Sequence, residues 1–207
     1  MRNPVLLIIA LVLLYLPAPA ESCSVNDYLV NGNFEQSFSY WRSAGNTSII
    51  EGSTEIDGNY FEVPEGSKMA AINYSECLGY SSIKQLFRIG PGDDSLSFAF
   101  NFWSYADTSS PGFIVDINGR SVFSMSPGEI GADNGGAFDS SGWISVVVPL
   151  SEFQNEDYLQ LSFISSLSQS GVFLDDVKVN MVPLPSSLVL LVSGLFGLIG
   201  IRRRGRP

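Results

Sequence analysis

The sequence predicts an all-β domain, a sandwich or jelly roll, held between two apolar terminal segments. Three observations predict it. Short runs of aromatic and β-branched residues recur, separated by Gly, Ser, Asn, Asp and Pro. Several of these runs alternate in the two-residue period of a strand with one buried face. No stretch between the tails keeps a 3.6-residue period for three turns, and no internal repeat is present. A helical bundle, a solenoid and a propeller are thereby excluded as the main architecture.

In chain order the strands are expected at 49–51, 69–73, 83–89, 96–105, 113–117, 121–125, 143–148, 159–164 and 172–179. In the fourth, Leu96, Phe98, Phe100 and Phe102 share one face, and Ser97, Ala99, Asn101 and Trp103 share the other. Phe113, Val115 and Ile117 repeat the pattern. Asn118-Gly119 then supplies a type I′ hairpin turn into the sixth strand. Residues 126–142 hold five glycines, a proline and little apolar content, and read as a long surface loop. Asp93-Asp94, after Pro91-Gly92, reads as turn.

The ends have a different character. Arg2 precedes an apolar run of about a dozen residues, too short for a spanning helix. Pro17, Ala18, Pro19 and Ala20 follow it. That order predicts a signal peptide over residues 1–20, cleaved after Ala20. At the other end, an uncharged Gly-containing apolar stretch runs from Leu188 to Ile201. Arg202, Arg203, Arg204 and Arg206 close the chain. The stretch is expected to form a transmembrane helix with a cytoplasmic C-terminus. The organisation is therefore 1–20 signal peptide, 21–181 β-sandwich ectodomain and 182–207 C-terminal tail.

Five of the eleven basic residues lie in the tails, so six remain between them against 21 acids, a formal charge of about −15. So acidic a surface repels nucleic acid, whose binding requires Lys and Arg to neutralise phosphates. Cys23 and Cys77 are the two cysteines. Export permits a disulfide between them. It would close a loop of about 54 residues and contribute about 4 kcal/mol on the chain-entropy model.

Two resemblances add to this reading. "VPLPSSLVLLVSGLFGLIGIRRR" resembles the PEP-CTERM sorting signal, in the variant whose motif begins Val-Pro-Leu-Pro. The motif is Val182, Pro183, Leu184 and Pro185, then the apolar helix, then Arg202, Arg203 and Arg204. Leu184 stands where the common form has Glu. The resemblance implies an exosortase as processing partner, and a bacterium that makes exopolysaccharide. Within the ectodomain, "LVNGNFEQSFSYWRS", "IKQLFRI", "LSFAFNFW", "GWISVVVPLS" and "VFLDDVKV" resemble landmarks of galactose-binding-like jelly rolls, a group that includes many carbohydrate-binding modules.

The chain has no histidine. That excludes Ser-His-Asp and Cys-His catalysis and imidazole metal sites. It carries no C-x-x-C, P-loop or dinucleotide fingerprint. Only paired carboxylates could serve as acid and base, as in a glycan hydrolase, and no local motif supports such a pair. No catalytic residue is assigned.

Alternation places Phe173, Asp175, Val177 and Val179 on one face of the last strand, so Asp175 is expected inward. The jelly-roll resemblance implies a structural Ca²⁺ where the N-terminal segment meets the last strand, with Glu35 and Asp175 as its ligands. The competing expectations are a bulge that turns Asp175 to solvent and a hydrogen bond to the nearby loop. Asn101, Trp103 and Tyr105 lie opposite the Phe98–Phe102 stripe. They form either a sugar platform of exposed rings and an amide, or an edge covered by a loop. Trp143 reads as a core or edge anchor, and Trp41 beside Tyr40 reads either way.

The expected protein is non-enzymatic. It would be exported, sorted through the inner membrane and periplasm to the cell surface or matrix, and associated with exopolysaccharide in a biofilm. The alternative is a carbohydrate-binding module with a defined glycan ligand.

Overall fold

The computed structural model describes residues 28–73, 80–90, 92–105, 108–130 and 138–181. Cys23, Cys77, the expected signal peptide and the expected sorting tail lie outside the described residues. Among the described residues, no helix is long and apolar enough to cross a membrane.

The described residues form thirteen strands: β1 Arg42–Ala44, β2 Thr47–Glu51, β3 Ser53–Ile56, β4 Asn59–Glu62, β5 Lys68–Ile72, β6 Ser81–Arg88, β7 Asp93–Ser104, β8 Phe113–Ile117, β9 Arg120–Met125, β10 Asp139–Ser140, β11 Ile144–Pro149, β12 Tyr158–Ser165 and β13 Ser170–Met181. Eleven of them build two antiparallel sheets, and β3 and β4 pair separately. The first has the order β1-β6-β12-β8-β9; the second has β10-β7-β13-β5-β2, with β11 also pairing β7. From β5 to β13 the chain passes repeatedly between the sheets, so each sheet interleaves strands distant in sequence. Both sheets turn an apolar face inward.

The core is aromatic because β7, β8 and β12 alternate. Phe98, Phe100 and Phe102 from β7 meet Phe113 from β8 and Phe163 from β12, all at most 1% exposed. Ring centroids lie 4.9 Å apart for Phe100 and Phe113, and 5.2 Å for Phe98 and Phe163. The pairs are tilted or edge-on, the geometries favoured by the ring quadrupole.

The nine expected strands are present, the one at 113–117 with the expected bounds and the others with shifted ends. Asn118 and Gly119 both have positive φ, 52° and 78°, as a type I′ turn requires. Asp57 and Gly58 repeat that geometry, at 52° and 78°, and close a β3–β4 hairpin that the strand pattern missed. The hairpin forms a third layer over the outer face of the second sheet. There Phe61, Met69, Ala71, Trp103 and Phe173 make a second apolar cluster, flanked by Ile56, Val63, Phe138 and Trp143. The expected surface loop at 126–142 is more structured than its composition suggests. Pro127–Ile130 is a turn of 3-10 helix, Phe138 enters the second cluster, and β10 pairs with the end of β7.

The N-terminal segment crosses the sandwich without joining a sheet. The buried Gln85 amide holds it: Val30 N donates to Gln85 Oε1 at 2.8 Å, and Gln85 Nε2 donates to Val30 O at 2.9 Å. Farther along, Val177 N donates to Gly32 O at 3.0 Å.

Candidate functional site

The last strand carries the first correction. Asp176 takes φ 53°, and the pairing of β13 with β7 shifts between Asp175 and Lys178. This bulge inserts one residue and resets the alternation. Val172, Leu174 and Val177 pack in the main core. Asp175 shares the outer face with Phe173, opposite Ala99. It does not share a face with Val177 and Val179, as plain alternation implied. Residues 64–68 roof it over, so it is still fully buried.

Asp175 accepts hydrogen bonds from Asp176 N at 2.7 Å and from Glu65 N at 3.3 Å. Burial pushes its carboxyl up to about 7, against the pull of those two N–H groups; the charges of Asp176 and Glu65 add to the rise. Glu35 grips the same 64–68 segment from the other side. It accepts from Ser67 N at 2.5 Å, Ser67 Oγ at 2.7 Å and Lys68 N at 2.9 Å. The Ser67 backbone N–H, with the other donors, holds the Glu35 carboxyl below its usual value. Glu35 and Asp175 therefore clamp one loop, Glu35 accepting three hydrogen bonds from protein donors and Asp175 two. Calcium takes six to eight oxygens. Among the described residues no group of three or more Cys, Asp or Glu side chains is arranged to hold a metal ion. The pair alone does not make a calcium shell.

The expected aromatic platform is also rearranged. Trp103 is only 5% exposed and Asn101 4%. Phe138 stacks on Trp103 with centroids 6.1 Å apart, and Tyr105 meets Phe138 at 5.2 Å. Trp103 and Tyr105 are thus part of the second cluster, and the open-ring expectation does not hold for Trp103.

Asn101 has a different position. It lies on the floor of a groove of about 440 Å³, lined also by Asn59, Tyr60, Glu62, Ser140 and Trp143. The β3–β4 hairpin supplies one wall and the segment entering β11 supplies the other. Tyr60 is 65% exposed, and its hydroxyl hydrogen-bonds Ser53 Oγ. Trp143, which the sequence suggested as an anchor, stands in the opposite wall. Its Nε1 donates to Glu62 O at 3.1 Å, tying the walls together. At the floor, Asn101 Oδ1 is buried and has no hydrogen-bond partner. An unmet buried acceptor costs about 1–3 kcal/mol. Two rings, an amide floor, a hydroxyl and one carboxylate are what a polyhydroxylated ligand needs: apolar faces to stack on and polar groups for its hydroxyls. Glu62 is the single acid in the lining. The two-carboxylate arrangement of a glycan hydrolase is absent there among the described residues.

Sequence reasoning missed Tyr60, Glu62 and the hairpin that carries them. Asp57-Gly58 between two polar four-residue strands was the available signal.

The fold and the groove define a layered β-sandwich with an aromatic-walled, polar-floored surface site. No family model matches the chain, and no curated protein matches it. Solved structures do. The K2 cleaved adhesin domain of Lys-gingipain is 16% identical, with a TM-score of 0.47, covering 73% of this chain and 97% of that one. A CBM28 module specific for non-crystalline cellulose is 16% identical, with a TM-score of 0.41 and coverage of 76% and 97%. TmCBM61, in complex with β-1,4-galactotriose, is 14% identical, with a TM-score of 0.40 and coverage of 76% and 99%.

Proposed function

We propose that this chain is a non-catalytic carbohydrate-binding β-sandwich of the galactose-binding-like jelly-roll type, whose groove between the β3–β4 hairpin and β11 takes a neutral glycan. One observation carries the reading. The buried, unpartnered Asn101 Oδ1 lies at the floor of a groove walled by Tyr60 and Trp143. A sugar hydroxyl donated to that oxygen satisfies it, while the rings stack on the sugar's C–H faces. Glu62 disfavours acidic sugars here and accepts from hydroxyls.

The proposal extends to where the protein works. Residues 1–20 direct export, and the tail from Val182 to Arg204 directs sorting by an exosortase. The mature domain meets exopolysaccharide at the cell surface. The terminal patterns support this part, independently of the groove.

A panel of neutral oligosaccharides is the test. A bound member should lose about tenfold in affinity in both Trp143→Ala and Tyr60→Ala, corresponding to about 1.4 kcal/mol for one stacking contact. Tyr60 is largely exposed, so its variant reports on binding without disturbing the core. Undiminished affinity in both variants would move the site elsewhere.

A further inference from the structure

The groove over Asn101 is charged as well as aromatic. Tyr60 and Glu62 are two residues apart on β4, so their side chains share one face of the hairpin. Across the hairpin, Glu55 of β3 is directly opposite Tyr60, and Ser53 is directly opposite Glu62. The tyrosine therefore stands between two carboxylate-bearing positions. Glu55 and Glu62 are both exposed, and neither forms an ion pair among the described residues. The lysines on either side of the loop that follows β4 have other partners. Lys68 pairs with Glu51 at 2.9 Å, and Lys178 pairs with Glu65, at 3.2 Å, and with Asp176. Among the described residues no Lys or Arg lines the groove.

The polar groups of the groove are also unbalanced. Its side-chain donors are largely engaged within the protein: Trp143 Nε1 donates to Glu62 O at 3.1 Å, Asn59 Nδ2 to Asp57 O at 3.2 Å, and the Tyr60 hydroxyl bonds Ser53 Oγ. Its acceptors are open. The Glu62 carboxylate can only accept, and the buried Asn101 Oδ1 has no partner. The groove therefore offers acceptors, one negative charge and the faces of two rings. Its chemical complement is a donor-rich cation. An ammonium group has three N–H donors and no acceptor, its bond to a carboxylate is roughly twice as strong as one between neutral groups, and aromatic faces attract it through the ring quadrupole.

We propose that the groove selects glycans built of amino sugars: the ammonium of one unit pairs with Glu62 beside the Tyr60 and Trp143 rings, and the same unit donates to Asn101 Oδ1. This inference rests on the glycan reading of the groove and narrows it. Uncharged sugars still stack and bond there, and a free amine adds to their affinity. The acidic domain as a whole raises the local concentration of a cationic chain, and Glu62 provides the local contact that a general field lacks.

The test titrates the protein at about 0.15 M salt and about pH 6, where amines are protonated. The probes are a trimer of β-1,4-linked glucosamine, the same trimer fully N-acetylated, and the β-1,4-linked glucose trimer. The glucosamine trimer should bind about tenfold tighter than the other two, equivalent to about 1.4 kcal/mol. Glu62→Gln keeps the backbone carbonyl that holds Trp143, and should cost the glucosamine trimer about tenfold more than it costs the uncharged trimers. Glu156→Gln removes the same charge from the turn before β12 and should leave the advantage intact. A trilysine peptide, which carries charge without a sugar ring, should bind more weakly than the glucosamine trimer. Equal affinity for the three trimers, equal effects of Glu62→Gln and Glu156→Gln, or trilysine binding as tightly as the glucosamine trimer would overturn the proposal. Uncharged trimers that bind, weaken in Trp143→Ala and are matched by the glucosamine trimer would overturn it alone and leave the groove a glycan site. Binding of all three trimers undiminished in Trp143→Ala and in Tyr60→Ala would overturn the groove reading with it.

Discussion

At about pH 8 the Asp175→Asn protein should melt higher than the unsubstituted chain, and most of the difference should vanish at about pH 5. The cause is the buried carboxyl whose pKa rises from 3.8 to about 7. A raised folded pKa means that the folded state binds the proton more tightly than the unfolded state. The stabilising contribution of the protonated group is complete below the unfolded value and is lost as pH rises through about 7. The displacement corresponds to on the order of 4 kcal/mol at full ionisation. Asparagine removes the charge and keeps an acceptor for Asp176 N, but loses the weaker bond from Glu65 N. A net gain of about 2 kcal/mol at about pH 8 is therefore expected. Glu35 and Glu129 act in a different window. Both are held below their usual value by hydrogen bonds from Ser67 and Ser126, so their contribution is lost only as pH falls through the acid range. Melting curves in chelator from about pH 5 to pH 8 check the result. A lower midpoint for Asp175→Asn at about pH 8 would show that the ionised carboxylate stabilises the fold. The same curves in calcium test the Glu35–Asp175 ligand pair. A rise in the unsubstituted protein that Asp175→Asn abolishes would assign the ion to that pair, and superimposed curves would remove it.

The second large effect is expected at Gly32. A Cβ there would stand 1.9 Å from Val177 O and 2.8 Å from Val177 C, both backbone atoms. Neither can withdraw without breaking the Val177 N to Gly32 O bond that fastens the N-terminal segment to the bulge. Gly32→Ala should lower stability by about 3 kcal/mol through overpacking, with an unchanged dependence on urea. Gly52→Ala is the comparison. Gly52, unlike Gly32, has positive φ, at 74°, and nothing lies within 4 Å of its Cβ position. It should cost only the conformational penalty of about 1–2 kcal/mol. Equal losses at the two positions would refute the close-approach explanation.

These two sites show what was legible in the sequence. The "NGNFE" landmark marked a place where chain meets chain, and Gly32 against Val177 is the physical reason for its glycine. The nine aromatic and β-branched strands were readable because one face of each meets the core. The strands β3 and β4 were not, because "STEI" and "NYFE" carry too few apolar residues to announce a period; only the Asp57-Gly58 turn betrayed them. The bulge at Asp176 was hidden for another reason. An aspartate in the left-handed region looks in sequence like any other strand residue, yet it moved Asp175 to the opposite face. Asn101 and Trp103 were placed correctly on the outer face, but their burial depends on a third layer contributed by distant segments. Trp143 belongs to the groove only because that layer exists.

The most direct test of glycan binding follows the indole N–H signals in a nitrogen–proton correlation spectrum. The chain has three tryptophans, and each indole has its own environment. Trp143 Nε1 donates to Glu62 O in the groove, Trp41 Nε1 to Asn31 O of the N-terminal segment, and Trp103 Nε1 is buried without a partner. Titration with a neutral oligosaccharide should shift the Trp143 signal in a saturable way and leave Trp41 in place. Saturable binding that moved only Trp41, or left all three signals unmoved, would contradict the assignment of the glycan to the Asn101 groove.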